Sequence, residues 1–333
     1  MTAFACRLRC ETLTGFFMSF ISKSYCYYFA TKNNMRTLQI DKRIFSVPAS
    51  WRDLNPDQLT AVAGLADKGL SNHEFRIALL KILMGLTISQ KKEMVIDNVN
   101  YYYFRHGLTN EFLISEIDIL FITSAFDFMF HCKKSDTDDA VYTLHFREVR
   151  NLLPQIETRI GTLYGPADGL SNILLSEYIH AETAWSNFRK SGKYHFAVRL
   201  FAILYRPEAK DVDINSPSYT GDRREPFNDF LLTTRTADLM ATNRGTIAIV
   251  VLWYEACREF INRKWPEVFD GGSEPVEKTD AFTGFMKMVN SLANNDVTKS
   301  NEVRQSYLYD TMFTLQSIIV QDRKMKESIN KKK

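Results

Sequence analysis

His180-Ala181-Glu182 is the stretch whose residue types and spacing come nearest to a known chemistry. It matches the histidine-x-glutamate core of zinc nucleobase deaminases, where the histidine binds metal and the glutamate moves protons. Such a centre also needs a Pro-Cys-x-x-Cys partner, and the sequence has none. Glu177 and His180 stand three apart, the spacing that puts two di-iron ligands on one helical face. A di-iron site needs a second such pair and two further glutamates, yet no second Glu-x-x-His occurs. Both patterns therefore read first as a surface histidine and glutamates on an amphipathic helix. An enzyme with a dispersed site near Glu177, His180 and Glu182 is the alternative.

Gly161, Gly165 and Gly169 recur every four residues. A phosphate loop would follow its glycines with Gly-Lys-Ser/Thr, and a dinucleotide loop would read Gly-x-Gly-x-x-Gly. Neither is present, so these glycines are expected at turns. Ser191-Gly192-Lys193 reads as a helix end. There is no Gly-x-Ser-x-Gly elbow, no His-Glu-x-x-His and no EF-hand loop. The histidines at 73, 106, 131, 145, 180 and 195 are dispersed. No catalytic residue, metal or cofactor is assigned from the sequence.

The polar connection from Arg206 to Pro226 holds Pro207, Pro217 and Pro226, and its length is unusual for a compact domain. The loop Asp211–Asp229 is the best candidate for an interaction surface, with Tyr219, Asp222, Arg223, Arg224 and Glu225 as the possible interaction residues. Arginine beside aromatic residues is enriched where proteins meet. The competing reading is a solvated loop whose charges pair with one another. The 24 Phe and 15 Tyr pose the same choice, since they fill a core or form an exposed partner patch.

These residues need elements to position them. Leu38–Val47 reads as two short strands about a polar turn. Asn55-Pro56-Asp57 opens a helix that Gly69 closes, and Ser71 with Glu74 forms a capping box for a second helix, through Met84 to Gly85. Met94–Phe104 is a hairpin candidate with Asp97-Asn98 at the turn. Residues 109–131 are expected as one or two helices, and Lys133–Asp139 as a polar loop. Val141–Phe146 and Gln155–Tyr164 are each expected as a strand, all the short strands together making one small sheet.

From Ser171 the pattern turns helical. Leu174, Tyr178, Ala181, Trp185 and Phe188 share one helical face. Phe196–Tyr205 is apolar nearly all round and should be buried. Helices are expected over Phe227–Met240, Thr246–Lys264, Asp280–Leu292 and Asn301–Glu327, with a linker at Val268–Val276. The β-branched residues of the unbroken apolar run Ile247–Tyr254 suggest a strand, but Ala256, Cys257 and Phe260 continue it at helical spacing.

The chain of 333 residues has a net charge of +3, carried at its ends. Residues 1–34 hold four Lys/Arg and one acid, and residues 321–333 hold six Lys/Arg and two acids. The 286 residues between keep 32 basic and 36 acidic groups, a balance of −4, so the body has no bulk attraction for nucleic acid. Five dispersed cysteines without a Cys-x-x-Cys fit a reducing compartment better than a disulfide framework. Residues 13–30 are apolar and aromatic but too short to span a bilayer. Met35 is read as the true start, with residues 1–34 an upstream extension or disordered segment. The competing readings of 1–34 are a signal or anchor, and a packed segment.

The opening IDKRIFSVPASWRDLNPDQLTAVAGL and residues 163–182, LYGPADGLSNILLSEYIHAE, carry a resemblance. With LFAILYRP and REPFN downstream, they resemble uncharacterised proteins of phage and prophage structural regions of Bacteroidetes type. The opening hairpin with its Trp51-x-x-Leu54-x-x-x-Gln58-Leu59 helix is similar to tail-assembly chaperones. The resemblance spans about residues 36–265, and no functional residue is carried across. It implies a non-enzymatic structural or assembly protein acting through protein–protein contacts with phage structural proteins. A nucleic-acid-associated factor of a mobile element using the basic tail is a further alternative, though the acidic body argues against a nucleic-acid partner. The expected fold is α+β and predominantly α-helical, with a small antiparallel sheet in the first half and a helical bundle in the second. The expected divisions are 1–34, an α+β region 35–165, a helical region 166–328 and a basic tail 329–333. No membrane span is expected over 35–333, and the location is expected to be cytoplasmic or on the virion.

Overall fold

The computed structural model describes residues 28–30, 36–40, 43–96, 99–107, 110–134, 140–210, 213, 215–217, 219, 221–269 and 280–330. They form an α+β structure, with small antiparallel sheets in the first half and helices in the second. The chain divides into two compact units between Phe146 and Arg147.

The first unit begins with β1 (Tyr28–Ala30), β2 (Arg36–Ile40) and β3 (Arg43–Val47), an antiparallel sheet in that order. Leu38 pairs with Phe45, and Leu38, Ile40, Phe45 and Val47 are buried on the period-two face that the pattern requires. The turn residues 41–42 lie outside the described residues. Of residues 1–34, only Tyr28–Ala30 is described, and it pairs with β2.

α1 (Pro56–Ala63) starts at the Asn55 cap, whose side chain accepts from the Gln58 N–H. It ends at Gly64, and a short 3₁₀ turn carries the chain to Gly69. α2 (Asn72–Met84) has the Ser71/Glu74 capping box and stops at Gly85. β4 (Leu86–Ile96), β5 (Val99–His106) and β6 (Asn110–Ser115) form a second sheet. Ile96 pairs with Val99, so the expected hairpin is present, while its turn residues 97–98 lie outside the described residues.

Residues 110–115 are therefore a strand and not the start of a helix. Phe104 pairs with Phe112 and Tyr102 with Ile114, so cross-strand pairing outweighs the apolar run. The helical part, α3 (Glu116–Thr123), begins where Ser115 caps the chain and receives Asp118 in return. β7 (Phe130–Lys134) pairs with β8 (Ala140–Leu144). Lys133 and Lys134 are thus in a strand, while 135–139 lie outside the described residues. The unit's core holds Leu59, Val62, Leu79, Leu80, Leu86, Phe104, Ile119 and Phe126. Trp51 donates its indole N–H to the His145 carbonyl at 3.1 Å and packs on Phe146.

The second unit opens with β9 (Gln155–Thr158) and β10 (Gly161–Tyr164), a tight hairpin where one strand was expected. The reversal at Arg159-Ile160 separates them. The expected single sheet is four separate sheets among the described residues, each completed locally by its own hairpins. The hairpin at 155–164 belongs to the helical unit and not to the region before it. Tyr164 bridges to Arg206, and the Tyr205 hydroxyl lies 2.9 Å from the Leu153 carbonyl.

The helices are α4 (Leu175–Ser191), α5 (Tyr194–Leu204), α6 (Leu232–Leu239), α7 (Arg244–Lys264), α8 (Pro266–Phe269), α9 (Ala281–Leu292), α10 (Val297–Gln305) and α11 (Leu308–Asn330). Buried α5 and α7 form the centre, with Phe201, Leu204, Ile247, Val250, Tyr254 and Ile261 enclosed. The run at 247–251 is helical, as the downstream spacing required. α9 starts at its Asp280 cap; the linker residues 270–276 lie outside the described residues. The expected helix over 301–327 is broken at Ser306. There the Leu175 N–H donates to the Ser306 carbonyl and the Leu308 N–H to Ile173, so the chain exchanges helical bonds for a bridge to the start of α4. No helix among the described residues is long and apolar enough to cross a membrane.

Candidate functional site

α4 is enclosed on most sides, and its residues advance about 100° each, so Glu177, His180 and Glu182 face three different surroundings. They do not converge. The expectation of wet polar positions fails for both glutamates, since Glu177 is 2% and Glu182 5% exposed. A buried carboxylate needs charged or hydrogen-bonding partners, and each has its own set.

Glu177 accepts a two-pronged bond from Arg206, with Nη1 at 2.9 Å and Nη2 at 3.2 Å. Arg224 Nη1 lies 3.3 Å from the same carboxylate. Arg224 in turn holds Asp222 through Nε at 2.8 Å and Nη2 at 2.7 Å. Backbone carbonyls fill the remaining guanidinium positions: Arg206 donates to Glu225 and Ile203, and Arg224 to Leu204. Two cations face two anions, and the planar forks satisfy both oxygens of each acid. Burial lowers the Arg206 pKa against the pull of Glu177. In Arg224, burial also acts downward, but Glu177 and Asp222 outweigh it and raise the value. The cluster pins the 206–226 connection to α4.

The residues of the candidate interaction loop are each engaged within the unit. Arg224 is buried and Asp222 is its partner, so neither is offered to solvent as a free recognition group. Arg223 pairs with Glu208 and lies over the Tyr164 ring at 4.2 Å. Glu225 pairs with Arg235, and half-buried Tyr219 donates its N–H to Ser216. The loop's charges are turned inward or paired within the unit.

Glu182 accepts from the Tyr254 hydroxyl at 2.8 Å and from Arg258 Nε at 2.9 Å. The Arg258 guanidinium lies 4.1 Å from the centre of the Trp185 ring, whose N–H donates to Glu255. Burial, with the Glu182 charge adding to it, pushes the Tyr178 and Tyr254 hydroxyls well above their ordinary value. Both stay protonated, and Tyr254 acts as a donor.

His180 faces a third environment, a groove of about 400 Å³. α4 supplies Ser176, Ile179 and His180; the segment before α6 supplies Phe227, Asp229 and Phe230; α9 supplies Phe282 and Met286; α10 supplies Asn301, Arg304 and Gln305. The His180 ring lies 5.3 Å from Phe227 and 6.1 Å from Phe282, centre to centre. Burial lowers its pKa, Arg199 and Arg304 add to this, and Asp229 opposes it. The imidazole is therefore neutral at pH 7. Arg304 Nε and Ser176 Oγ are buried without a hydrogen-bond partner among the described residues.

Ser176, His180 and Asp229 share this groove, but they do not form a nucleophilic relay. His180 Nε2 stands 4.0 Å from Asp229 Oδ2, beyond hydrogen-bond length, and Ser176 Oγ has no partner base. Among the described residues no group of three His, Cys, Asp or Glu could hold a metal ion. The glycine ladder is structural. Gly169 takes a left-handed φ of +62° beneath Tyr309, and a Cβ on Gly165 would stand 2.6 Å from Asn151 Nδ2 and 2.7 Å from the Tyr205 ring.

Arg206, Arg258 and Arg304 belong to no chemical motif in the sequence. For Arg206 a partial signal existed: it directly follows the nearly all-round apolar run 196–205, and an arginine buried there has to be paired. Arg304 sits in a polar helical stretch and carries no such mark. Comparison of the chain with family models, curated proteins and solved structures finds no match.

Proposed function

We propose that this chain is a non-enzymatic assembly protein that holds a partner protein in the groove between α4, α9 and α10. The convergence of apolar side chains on that groove carries the reading. Phe227, Phe230, Phe282, Met286 and Ile179 meet there, with Phe230 90% and Phe282 40% exposed. Single exposed apolar residues are ordinary, but aromatic rings gathered around a concavity are the usual anchor of a protein contact. The two buried ion clusters support the same reading, because their charges are paired within the fold beside α4, which forms one wall of the groove. The resemblance of residues 36–265 to phage and prophage structural-region proteins supports virion or tail proteins as the partner class.

A photo-crosslinking amino acid at position 230, in the full chain in a phage-producing host, tests this. Crosslinks to virion or tail proteins are expected. Crosslinks confined to nucleic acid, or none at 230 while the protein is abundant, contradict it.

A further inference from the structure

We infer that the groove recognises a partner segment bearing one carboxylate between apolar side chains, the carboxylate meeting Arg304. This deepens the docking reading and rests on it.

Arg304 Nε is a buried guanidinium donor with no acceptor among the described residues, and Arg304 forms no ion pair there. A desolvated, unmet donor is costly, and a carboxylate matches the guanidinium fork best. Ser176 Oγ, also buried and unpartnered, supplies a second donor in the same groove. Among the described residues Arg304 Nη2 reaches only Asn301 Oδ1, at 3.5 Å, so the fork is open to a better acceptor. The opposing charge is Asp229, whose side chain is 52% exposed. Water and salt screen it, whereas the buried Arg304 donor is screened much less, so a single negative charge is favoured there. Asp229 and the surrounding rings disfavour a doubly charged, fully hydrated anion such as phosphate.

The occupant extends beyond the cavity. Val297, 84% exposed, lies seven residues before Arg304 on the same face of α10, about 10 Å along its axis. Phe230 lines the groove, and it and its chain neighbour Leu231 expose further apolar surface. A small free acid would leave this surface uncovered, and a chain segment with apolar residues beside its acid covers it.

The full chain is used to select from a random heptapeptide library with amidated C-termini, so that side chains are the only carboxylates. Selection of Asp or Glu flanked by Phe, Leu or Trp is expected. Fluorescence anisotropy of a selected peptide should weaken about tenfold when its acid becomes the amide, and as much in Arg304→Met. Melting curves check that this variant folds; should it not, the acid-to-amide comparison on the unaltered chain decides alone. Equal binding of acid and amide peptides, or selection of neutral or basic ones, overturns the inference. Neutral peptides that bind and are lost in Phe230→Ser would leave the docking reading standing while ending this one. Selection of no peptide also ends it, and crosslinking at position 230 then judges docking separately. N-Acetylphenylalanine competing at the same concentration as the peptide would point to a free acid, against a partner segment.

Discussion

Glu177 shows how a single residue can mislead and then explain. Its sequence neighbours suggest a metal ligand, yet Arg206 and Arg224 occupy both of its oxygens. Removing one partner from a buried ion cluster leaves the others uncompensated, which costs about 3–5 kcal/mol. Glu177→Ala should lose about that much in denaturant unfolding, and a loss below about 1 kcal/mol would show that the cluster is wet. His180 predicts a pH dependence. Its folded pKa lies below the ordinary histidine value of 6.5, chiefly through burial, with Arg199 and Arg304 adding and Asp229 opposing. The unfolded chain therefore binds the proton more readily, so stability is complete above pH 6.5 and falls as the pH drops through 6.5 towards the folded value. His180→Asn should flatten that part of a melting-temperature profile. An unchanged slope would remove His180 as its source.

Among the elements, those bounded by local signals were legible and those decided by distant contacts were not. The Asn55 and Ser71 caps and the left-handed Gly85 set α1 and α2 from within a few residues. α7 followed from spacing alone, despite its β-branched run. Residues 110–115 went the other way, because the partner strand β5 gives their backbone a ladder that a local apolar count cannot see. The break at Ser306 was equally hidden, since the bonds to Ile173 and Leu175 come from far along the chain. Of the groove, His180 was singled out from its sequence pattern, while Phe230, Phe282 and Arg304 meet it only through packing. Ser115 is the local signal that was available and passed over: it and Asp118 satisfy each other at the start of α3. Ser115→Ala should cost about 1 kcal/mol in equilibrium unfolding. No measurable cost would mean that β6 alone sets where α3 begins.

At the scale of the whole molecule, the division after Phe146 assigns the 155–164 hairpin to the helical unit. Trp253 donates to the Val149 carbonyl at 3.1 Å, and the Tyr205 hydroxyl, buried, reaches Asn151 and Leu153. A unit with its own closed core should fold by itself. Residues 147–333 produced alone should keep a cooperative melt, whereas residues 166–333 should not; the reverse order would misplace the boundary. The docking account itself is tested most directly by Phe230→Ser combined with Val297→Ser in the full chain, measuring partner association and thermal melting side by side. Both side chains are exposed, at 90% and 84%, so melting should be unchanged while association with virion or tail proteins drops at least about tenfold. Association at full strength with both residues replaced would contradict the account.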